Sequence, residues 1–307
     1  MKKILVATQK PFAPAAVNSI KQIVESAGYE FELFEKYAEQ VDFVKVVESA
    51  HALIIRSDKV TKEVIDAAKN LEIVVRAGAG YDNVDLEAAS AKGVVVMNTP
   101  GQNSNAVAEL AFGTMVYLAR NGFNGSAGTE LKGKTLGIHA YGNVGRYVAK
   151  IAKGFGMKVY AFDPYVKKKV MKKDKVKPVK SAEKLYAKCQ YISLHIPATE
   201  QTKDSINYDL LSSMPENAVL VNTARKEVIH EADMLKLMDD RKDFSYISDI
   251  APDNKADIEQ KYEGRFFFTP KKMGAQTSEA NINAGVAAAN QISKFFKSGD
   301  TTFKVNK

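Results

Sequence analysis

The sequence predicts an α/β protein built from two doubly wound parallel-sheet domains, with the second domain inserted into the first. Short apolar runs alternate with amphipathic helical patterns through the first hundred residues, and a second series of this kind begins at Lys134. Such alternation is typical of parallel sheets covered by helices on both faces. We expect residues 1–100 together with 281–307 to form one domain and residues 101–280 to form the other.

The first series contains five predicted strands separated by helical patterns. In KEVIDAAKN and the following Leu71, apolar residues recur at helical spacing from Val64 to Leu71. A long helix, capped by Ser104 or Asn105, is predicted from Ser104 to Arg120. The five predicted strands are KILVAT, YEFELFE, ALIIRS, EIVVRAG and GVVVMNTP.

The second series contains six predicted strands and ends in a helix rich in small residues, from about Ser278 to Phe296. We expect this helix to return to the first domain. No low-complexity linker interrupts the series, and no third domain is expected after residue 307. The six predicted strands are TLGIHAY, KVYAFD, YISLHIP, AVLVNTA, YISDIA and RFFFTP.

Composition favours an ordinary soluble protein, because 45% of the residues are apolar and 26% are charged. The single cysteine, Cys189, excludes an internal disulfide framework and fits a reducing compartment. The apolar run from Ile4 to Ala7 is too short for a signal-peptide core, and no stretch approaches a membrane span. We therefore expect a cytoplasmic protein with no membrane partner.

The formal charge of +8 is concentrated in one segment. Residues 167–180 contain eight lysines and one aspartate, so they contribute 8 − 1 = +7. The segment has no interleaved aromatic residues for stacking on bases. It is more typical of a solvated surface than of a nucleic-acid site, and no nucleic-acid partner is expected.

A dinucleotide-binding fingerprint follows the first strand of the second series, in LGIHAYGNVGR. Ala140 replaces the first glycine of G-x-G-x-x-G, Gly142 allows backbone amides to approach a pyrophosphate, and Gly145 allows close packing of helix on strand. Asp163, at the end of the next strand, should accept hydrogen bonds from the ribose hydroxyls and favour NAD over NADP, although Lys167–Lys169 could soften that exclusion. The expected cofactor-binding residues here are Tyr141, Gly142, Asn143, Val144, Gly145 and Asp163.

Several further segments carry a family resemblance, namely RAGAGYDNVDLEAA, VVVMNTPGQNSNAVAELAFG, ISLHIPATEQTKDSIN and LVNTARKEVIHEADM. With the fingerprint, they resemble the D-2-hydroxyacid dehydrogenases, and most of all those acting on D-3-phosphoglycerate. The resemblance implies a flavodoxin-like substrate domain with an inserted Rossmann NAD-binding domain, NAD as cofactor, and usually a homodimer. It also implies oxidation of a small anionic substrate, 3-phosphoglycerate, to a 2-keto acid on the route to L-serine. We expect a short form without an appended regulatory domain.

The resemblance also implies roles for individual residues. Arg225 of the N-T-A-R motif would hold the substrate carboxylate and carbonyl, for which its planar fork is suited. Arg56 would grip a substrate phosphate, and no metal is expected. The implied substrate-binding residues are Arg56, Ser57, Arg76, Ala77, Gly78, Ala79, Gly80 and Asn103. A structural role is an equal alternative for His195, and Asp249 would face the nicotinamide. The further implied cofactor-binding residues are His195, Pro197, Thr202, Thr223, Ala224 and Asp249.

The chain departs from the family pattern at the catalytic base, where relatives carry a histidine after Thr-Pro and a paired glutamate. The glutamate position holds Asp253 or Asn254. Counting forward from Thr269-Pro270 places Lys271 at the histidine position, whereas counting backward from Gly274 places Lys272 there. We prefer Lys272, because the glycine turn constrains the loop more tightly than the strand end does.

A lysine base accounts for losing both members of the pair. A histidine base needs a carboxylate to fix its tautomer, but a lysine has no tautomer, and a carboxylate would raise its pKa. A lysine base needs a pKa well below the reference of about 10.4. Burial under bound cofactor and the charge of Arg225 would both act in that direction. We therefore expect Lys272 to be the general acid/base.

Two alternative functions stay open. One is another 2-hydroxyacid dehydrogenase, such as a hydroxypyruvate or glyoxylate reductase or a D-lactate-type enzyme, which needs no phosphate-binding group. The other is a non-catalytic NAD-sensing protein resembling the C-terminal-binding corepressors, which the missing histidine and glutamate would favour. Arg225, Asn103, Asp249 and the Gly78–Gly80 turn argue for the enzyme, because a sensor does not need a substrate-binding site.

Overall fold

The computed structural model describes every residue from Met1 to Lys307 and divides the chain into two compact units. Unit 1 comprises Met1–Asn103 and Gln276–Lys307, and unit 2 comprises Ser104–Ala275, inserted between them. The junctions expected from the sequence were at 100/101 and 280/281. Each unit contains one parallel sheet with helices, so the predicted α/β fold class is confirmed.

All eleven predicted strands are present, and the structure adds a two-residue strand in the lysine-rich segment. Most observed strands end one to three residues earlier than predicted, because the polar or glycine-containing residues at their carboxyl ends form loops. The strands are β1 Lys3–Thr8, β2 Glu30–Glu35, β3 Ala52–Ile55, β4 Ile73–Arg76, β5 Val95–Asn98, β6 Thr135–His139, β7 Lys158–Phe162, β8 Lys177–Pro178, β9 Tyr191–Leu194, β10 Val219–Asn222, β11 Ser245–Ser248 and β12 Phe266–Phe268.

Five of the twelve α-helices begin at a polar residue whose side chain caps the helix. Thr61 and Thr277, for example, each accept a hydrogen bond from the backbone amide three residues later. The α-helices are α1 Pro14–Ser26, α2 Gln40–Val46, α3 Lys62–Ala67, α4 Leu86–Ala91, α5 Ser104–Ala119, α6 Asn143–Gly154, α7 Lys168–Lys173, α8 Ala182–Tyr186, α9 Tyr208–Ser212, α10 Glu231–Asp240, α11 Lys255–Lys261 and α12 Ser278–Ser298.

The two sheets have different strand orders. In unit 1 the order is β2-β1-β3-β4-β5, which is the flavodoxin-like arrangement. In unit 2 the order is β12-β11-β10-β9-β6-β7-β8, which contains the Rossmann order read from β8 towards β12. All named strand pairs are parallel. The carboxyl ends of neighbouring strands therefore share one edge of each sheet, where ligands of open α/β sheets bind.

Each sheet is covered by apolar layers on both faces, as parallel sheets require. Strand β3 is buried along its whole length. In unit 1, Ala288 and Ile292 of α12 join Ile20 of α1 in one layer, which explains the small residues of the last helix. In unit 2, Phe112 of α5 joins an apolar layer of the Rossmann sheet. None of the helices is both long enough and apolar enough to span a membrane.

The lysine-rich segment is partly ordered by its few apolar residues. Met171 of α7 and Val176 are buried in unit 2, while the lysines of α7 point outward. Strand β8 then pairs with β7 at the edge of the sheet. The sequence pattern missed α7 and β8 because lysines outnumber the apolar residues that define both elements.

Candidate active site

The predicted cofactor turn connects β6 to α6 at the carboxyl edge of the unit 2 sheet. A Cβ atom added to Gly142 would have no protein atom within 4 Å, so this side of the turn is open. A Cβ added to Gly145 would lie 2.4 Å from the Ala140 carbonyl oxygen, so the helix can pack this closely only with glycine there. Ala140 itself has a φ of 76°, a conformation that glycine adopts more easily. The turn therefore combines an open approach with a tightly packed helix start.

Asp163 lies just past the end of β7, as expected, and is held by backbone amides. Its Oδ2 accepts a hydrogen bond from the Tyr141 amide at 2.7 Å, and its Oδ1 accepts bonds from Tyr165 and Val166. The Tyr141 side chain differs from the expectation, because it is buried and its hydroxyl donates to Asp174. Only the backbone of Tyr141 therefore belongs to the cofactor turn.

Two buried polar atoms without hydrogen-bond partners lie past the ends of β9 and β10. They are Nδ1 of His195 and Oγ1 of Thr223. The other ring nitrogen of His195 lies 3.0 Å from the Ser193 hydroxyl, and burial lowers the pKa of His195 to about 3. With the open turn and Asp163, these orphaned atoms at one sheet edge fit a polar dinucleotide such as NAD.

The loop after β9 contains Pro197 and Thr202, both expected to line the cofactor. Pro197 is exposed and Thr202 is half-buried. The Thr202 hydroxyl donates to the Pro197 carbonyl at 2.5 Å and accepts a bond from the Thr199 amide at 2.8 Å. The hydroxyl of Thr202 therefore forms its hydrogen bonds within its own loop and connects Thr202 to Pro197.

The turn after β10 is organised by Asn222, a residue that the sequence reasoning did not single out. Its side chain accepts a bond from the Ala224 amide and donates to the Arg225 carbonyl, both at 2.9 Å. Arg225 is half-buried with an extended backbone, and its Nη1 donates to the Ala224 carbonyl at 2.9 Å. The asparagine of the N-T-A-R motif was the available signal, since a buried strand-end amide commonly fixes a turn.

The loop that carries Lys271 and Lys272 follows β12 and is attached at both ends. At its start, the Thr269 amide donates to the Ser248 carbonyl at 3.1 Å, and the Thr269 hydroxyl donates to the Asp249 carbonyl at 2.7 Å. Beyond the two lysines, the backbone amides of residues 273 and 274 donate to the Asp249 carboxylate. Both lysines are exposed.

The position of the missing glutamate is occupied by a capping arrangement. Glu231 accepts hydrogen bonds from the backbone amides of Asp253 and Asn254, at 2.8 and 3.1 Å. The Asn254 side chain donates to the Glu231 carbonyl, and the Asp253 carboxylate pairs with Lys226. Both residues therefore have structural partners near the start of α11.

In unit 1, the turn after β4 is shaped around the Arg76 side chain. Arg76 Nε donates to the Arg56 carbonyl at 2.9 Å, and its guanidinium lies over Gly78. A Cβ on Gly78 would come within 1.4 Å of Arg76 Nη1, so a side chain there would displace the guanidinium, and the φ of Gly78, 154°, is one that other residues rarely adopt. The carbonyl of Ala79 accepts a bond from Asn98, a second residue that the sequence reasoning missed. Of the remaining turn residues, Ala77 is buried and Gly80 is half-buried. Asn103, the last residue of the first segment of unit 1, is half-buried.

Arg56 lies past the end of β3, where the resemblance placed a phosphate-binding group. Its Nη1 donates to the carbonyls of Lys10 and Pro11, at 3.0 and 2.8 Å, and its Nη2 donates to Asn281 at 2.5 Å. Burial lowers the pKa of Arg56. Ser57 beside it is exposed. Arg56 therefore already ties the loop after β1 to α12.

Comparisons with known proteins agree with this arrangement. Residues 111–269 match the model described as D-isomer specific 2-hydroxyacid dehydrogenase, NAD binding domain. A crystal structure of NAD+-bound 3-phosphoglycerate dehydrogenase from Entamoeba histolytica is 47% identical, with a TM-score of 0.89 over 100% of this chain and 99% of that chain.

Two curated relatives add to the comparison. Hydroxypyruvate reductase from Thermotoga maritima is 34% identical over 285 residues, covering 86% of this chain and 91% of the relative. D-3-phosphoglycerate dehydrogenase from Methanocaldococcus jannaschii is 35% identical over 271 residues, covering 83% of this chain but 52% of the relative. The chain thus spans about half the length of that relative and of its human and rat counterparts, at 52% each. The chain belongs to the D-isomer specific 2-hydroxyacid dehydrogenase family, and unit 2 contains the NAD-binding domain of that family.

Proposed function

We propose that the protein oxidises D-3-phosphoglycerate to 3-phosphohydroxypyruvate with NAD, using Lys272 as general acid/base and Arg225 on the substrate carboxylate. The observation that carries this proposal is the anchored loop after β12, which presents a lysine where the family pattern has its histidine. The name of the Entamoeba histolytica relative, which is similar over the whole chain, supports the choice of substrate.

The proposed reaction needs three contributions from the protein. Arg225 pairs with the carboxylate through its planar guanidinium. Asn103 and the remaining backbone amides of the Arg76–Gly80 turn add donors to the substrate, since the amides of Ala77 and Gly78 already donate to the Ile55 and Arg76 carbonyls. Bound NAD would supply the hydride acceptor for C2 of the substrate. Lys272, in its neutral form, accepts the hydroxyl proton as the 2-hydroxy acid becomes a 2-keto acid.

The anchoring of the loop supports Lys272 over Lys271. Lys272 directly precedes Met273, whose backbone amide donates to the Asp249 carboxylate at 2.7 Å. Lys271 lies one residue further from this anchor. The position of Lys272 is therefore the more closely defined of the two, and a general base must be held within hydrogen-bond reach of its proton.

The assignment of Arg56 to the substrate phosphate rests on its place after β3. Its guanidinium already donates to Lys10, Pro11 and Asn281. A phosphate would have to share these donors, or accept hydrogen bonds from the remaining edge of the guanidinium. The position of Arg56 after β3 and its positive charge support a role in binding the phosphate.

The test is a pH series of NAD reduction with 3-phosphoglycerate, on the wild type, Lys272→Ala and Lys271→Ala. We expect the turnover of the wild type to rise towards alkaline pH, because the neutral amine is the base. Lys272→Ala should lose at least about 100-fold in kcat, within the range for general-base catalysis. Lys271→Ala, the matched control, should retain most of the wild-type kcat. Loss in Lys271→Ala alone would move the base by one residue, and activity in both variants would exclude a lysine base.

A second candidate function is hydroxypyruvate reduction, which the Thermotoga maritima relative favours because this chain covers 91% of its length. Comparing kcat/KM for 3-phosphoglycerate, glycerate and lactate separates the candidates. If the wild type prefers 3-phosphoglycerate and Arg56→Gln reduces this preference, the result supports the assignment of Arg56 to the substrate phosphate. Equal use of glycerate would favour the reductase, and no turnover of any 2-hydroxy acid despite NAD binding would favour a sensor.

We also propose a cytoplasmic homodimer. The buried, unpaired Cys189 fits a reducing compartment, and burial raises the pKa of its thiol to about 12, which keeps it unreactive. The homodimer rests on the family resemblance. Light scattering coupled to size exclusion should give twice the mass of one chain, and a monomer mass would contradict this assignment.

A further inference from the structure

We propose that Lys10 is a second phosphate-binding cation beside Arg56, and that the buried carboxylate of Asp58 positions both residues. This inference rests on the proposed role of Arg56 in binding the phosphate of 3-phosphoglycerate, and it makes Lys10 a determinant of substrate specificity. Lys10 lies just past the end of β1 and Arg56 just past the end of β3. These strands are parallel neighbours, so both residues lie at the carboxyl edge of the unit 1 sheet.

The guanidinium of Arg56 has few donors left for a phosphate. Nη1 donates to the carbonyls of Lys10 and Pro11, and Nη2 donates to the Asn281 side chain. A phosphate monoester carries a charge of about −1.5 to −2 at neutral pH and several strong acceptor oxygens. Arg56 by itself therefore leaves part of the charge and of the acceptors of a bound phosphate unmatched.

Two carboxylates also offset the charge of Arg56. Asp58 is 4% exposed and Glu35 is half-buried, and both interact electrostatically with the guanidinium. One arginine among two carboxylates presents no excess of positive charge to an anion. A lysine ammonium next to it would supply a further positive charge and rotatable N–H donors.

The backbone of Lys10 is held against Arg56, while its side chain is available. The Lys10 carbonyl accepts hydrogen bonds from Arg56 Nη1 at 3.0 Å and from the Thr8 hydroxyl at 2.7 Å. The side chain is exposed, and its ammonium takes part in no ion pair or hydrogen bond. A flexible lysine stem that starts beside the guanidinium can bring the ammonium to an anion bound there.

Asp58 joins the loops that follow three neighbouring strands. Its Oδ1 accepts hydrogen bonds from the Gln9 amide at 2.6 Å and from the Tyr37 hydroxyl at 2.8 Å, and its Oδ2 accepts one from the Arg56 amide at 3.2 Å. Charge-assisted bonds of this kind are roughly twice as strong as neutral ones. Gln9 directly precedes Lys10, so one buried carboxylate fixes the backbone at both cations. Asp58 is therefore a positioning residue.

The test of Lys10 compares 3-phosphoglycerate with glycerate, which differs from it only in lacking the phosphate. In Lys10→Met we expect kcat/KM for 3-phosphoglycerate to fall at least about tenfold, mainly through KM, and that for glycerate to change less than about threefold. Lys10→Arg should retain most of the preference for the phosphorylated substrate. Lys69→Met, at an exposed lysine that precedes β4 at the opposite edge of the sheet, is the matched control and should behave as the wild type.

Salt dependence gives a readout that a merely structural role of Lys10 would not change. Dissolved ions screen exposed charges, so the KM of the wild type for 3-phosphoglycerate should rise with added KCl. The rise should be smaller in Lys10→Met and normal in Lys69→Met. An equal rise in the wild type and Lys10→Met would contradict a contact between Lys10 and the phosphate.

Asp58→Asn separates positioning from charge. The amide keeps the shape of the carboxylate but replaces one acceptor oxygen by an NH2 group. Loss of a negative charge beside Arg56 would by itself strengthen phosphate binding, whereas loss of the backbone contacts would weaken it. We expect KM for 3-phosphoglycerate to rise at least about threefold, with kcat/KM for glycerate nearly unchanged. An unchanged or lower KM would overturn the positioning role of Asp58.

Calorimetric titration with 3-phosphoglycerate in the presence of NADH measures binding without turnover. Its Kd should be at least about tenfold weaker in Lys10→Met than in the wild type. This result does not depend on the base, so loss of the Lys272 assignment would leave it intact. If Arg56→Gln weakens binding of 3-phosphoglycerate and Lys10→Met does not, the phosphate assignment stands and the role of Lys10 is wrong. If the wild type binds and uses glycerate as well as 3-phosphoglycerate, both assignments are wrong.

Discussion

His139 and His195, two of the four histidines of the chain, are placed where they stay neutral. Burial lowers the pKa of His139 to about 4 and that of His195 to about 3. His139 lies in β6 with Nδ1 3.1 Å from the buried Tyr186 hydroxyl. Neither ring gains a proton at neutral pH, and neither belongs to the loop after β12. This is consistent with a base other than histidine.

The buried His139 predicts a pH dependence of stability. Its folded-state pKa lies below its ordinary value, so the unfolded state binds more protons between pH 6.5 and 4. The unfolding free energy should therefore fall as the pH falls through this window, by on the order of 3 kcal/mol for this residue. Urea unfolding at pH 7, 5.5 and 4 measures the effect. In His139→Gln the slope should be smaller, and an unchanged slope would contradict the assignment.

At the scale of elements, the two glycines of the β6–α6 turn have different functions. Gly142→Ala adds a methyl group that touches no protein atom, on the side where a pyrophosphate would approach. Gly145→Ala adds one that would lie 2.4 Å from the Ala140 carbonyl oxygen and 3.0 Å from Ile138 Cγ2, so α6 would have to shift.

The two substitutions should therefore give different results. Gly142→Ala should weaken NADH binding at least about tenfold with the unfolding free energy changed by less than about 1 kcal/mol. Gly145→Ala should destabilise the fold by about 1–3 kcal/mol, the usual cost of overpacking, and weaken binding as a consequence. Fluorescence titration and urea unfolding measure the two quantities. Equal loss of stability in both variants would show that Gly142 has a packing role.

At the scale of the molecule, binding of a nucleotide to unit 2 should raise the apparent stability of the chain. A ligand at 100 times its Kd contributes about 2.7 kcal/mol. Asp163, held at the end of β7 by three backbone amides, presents a negative charge where a 2′-phosphate would lie. We expect NADH to raise the melting temperature more than NADPH at the same concentration.

The matching variant is Asp163→Ser, in which the difference between NADH and NADPH should narrow because the repelling charge is gone. Differential scanning fluorimetry on the wild type and the variant measures the melting temperatures with NADH and with NADPH. Equal shifts with the two nucleotides in the wild type would show that the lysines of residues 167–169 override Asp163. The protein would then accept either nucleotide.

Local patterns in the sequence determined the elements and the family. Apolar runs between polar turns located eleven of the twelve strands, because burial on both sheet faces demands them, and the spacing from Gly142 to Asp163 indicated the dinucleotide turn. The short β8 and α7 escaped prediction because their few apolar residues lie among lysines.

The hydrogen-bond partners of polar side chains were decided only by the tertiary structure. Asp249 and Met273 are 24 residues apart, and Arg56 and Asn281 are 225 apart. Such pairs form when separate strand ends meet at one sheet edge or a terminal helix returns, and no local spacing encodes them. The glycine turn in the sequence favoured Lys272 over Lys271, but the hydrogen bonds that attach the loop were visible only in the tertiary structure. The contact between Asp249 and the loop amides emerges only once β11 and β12 are neighbours.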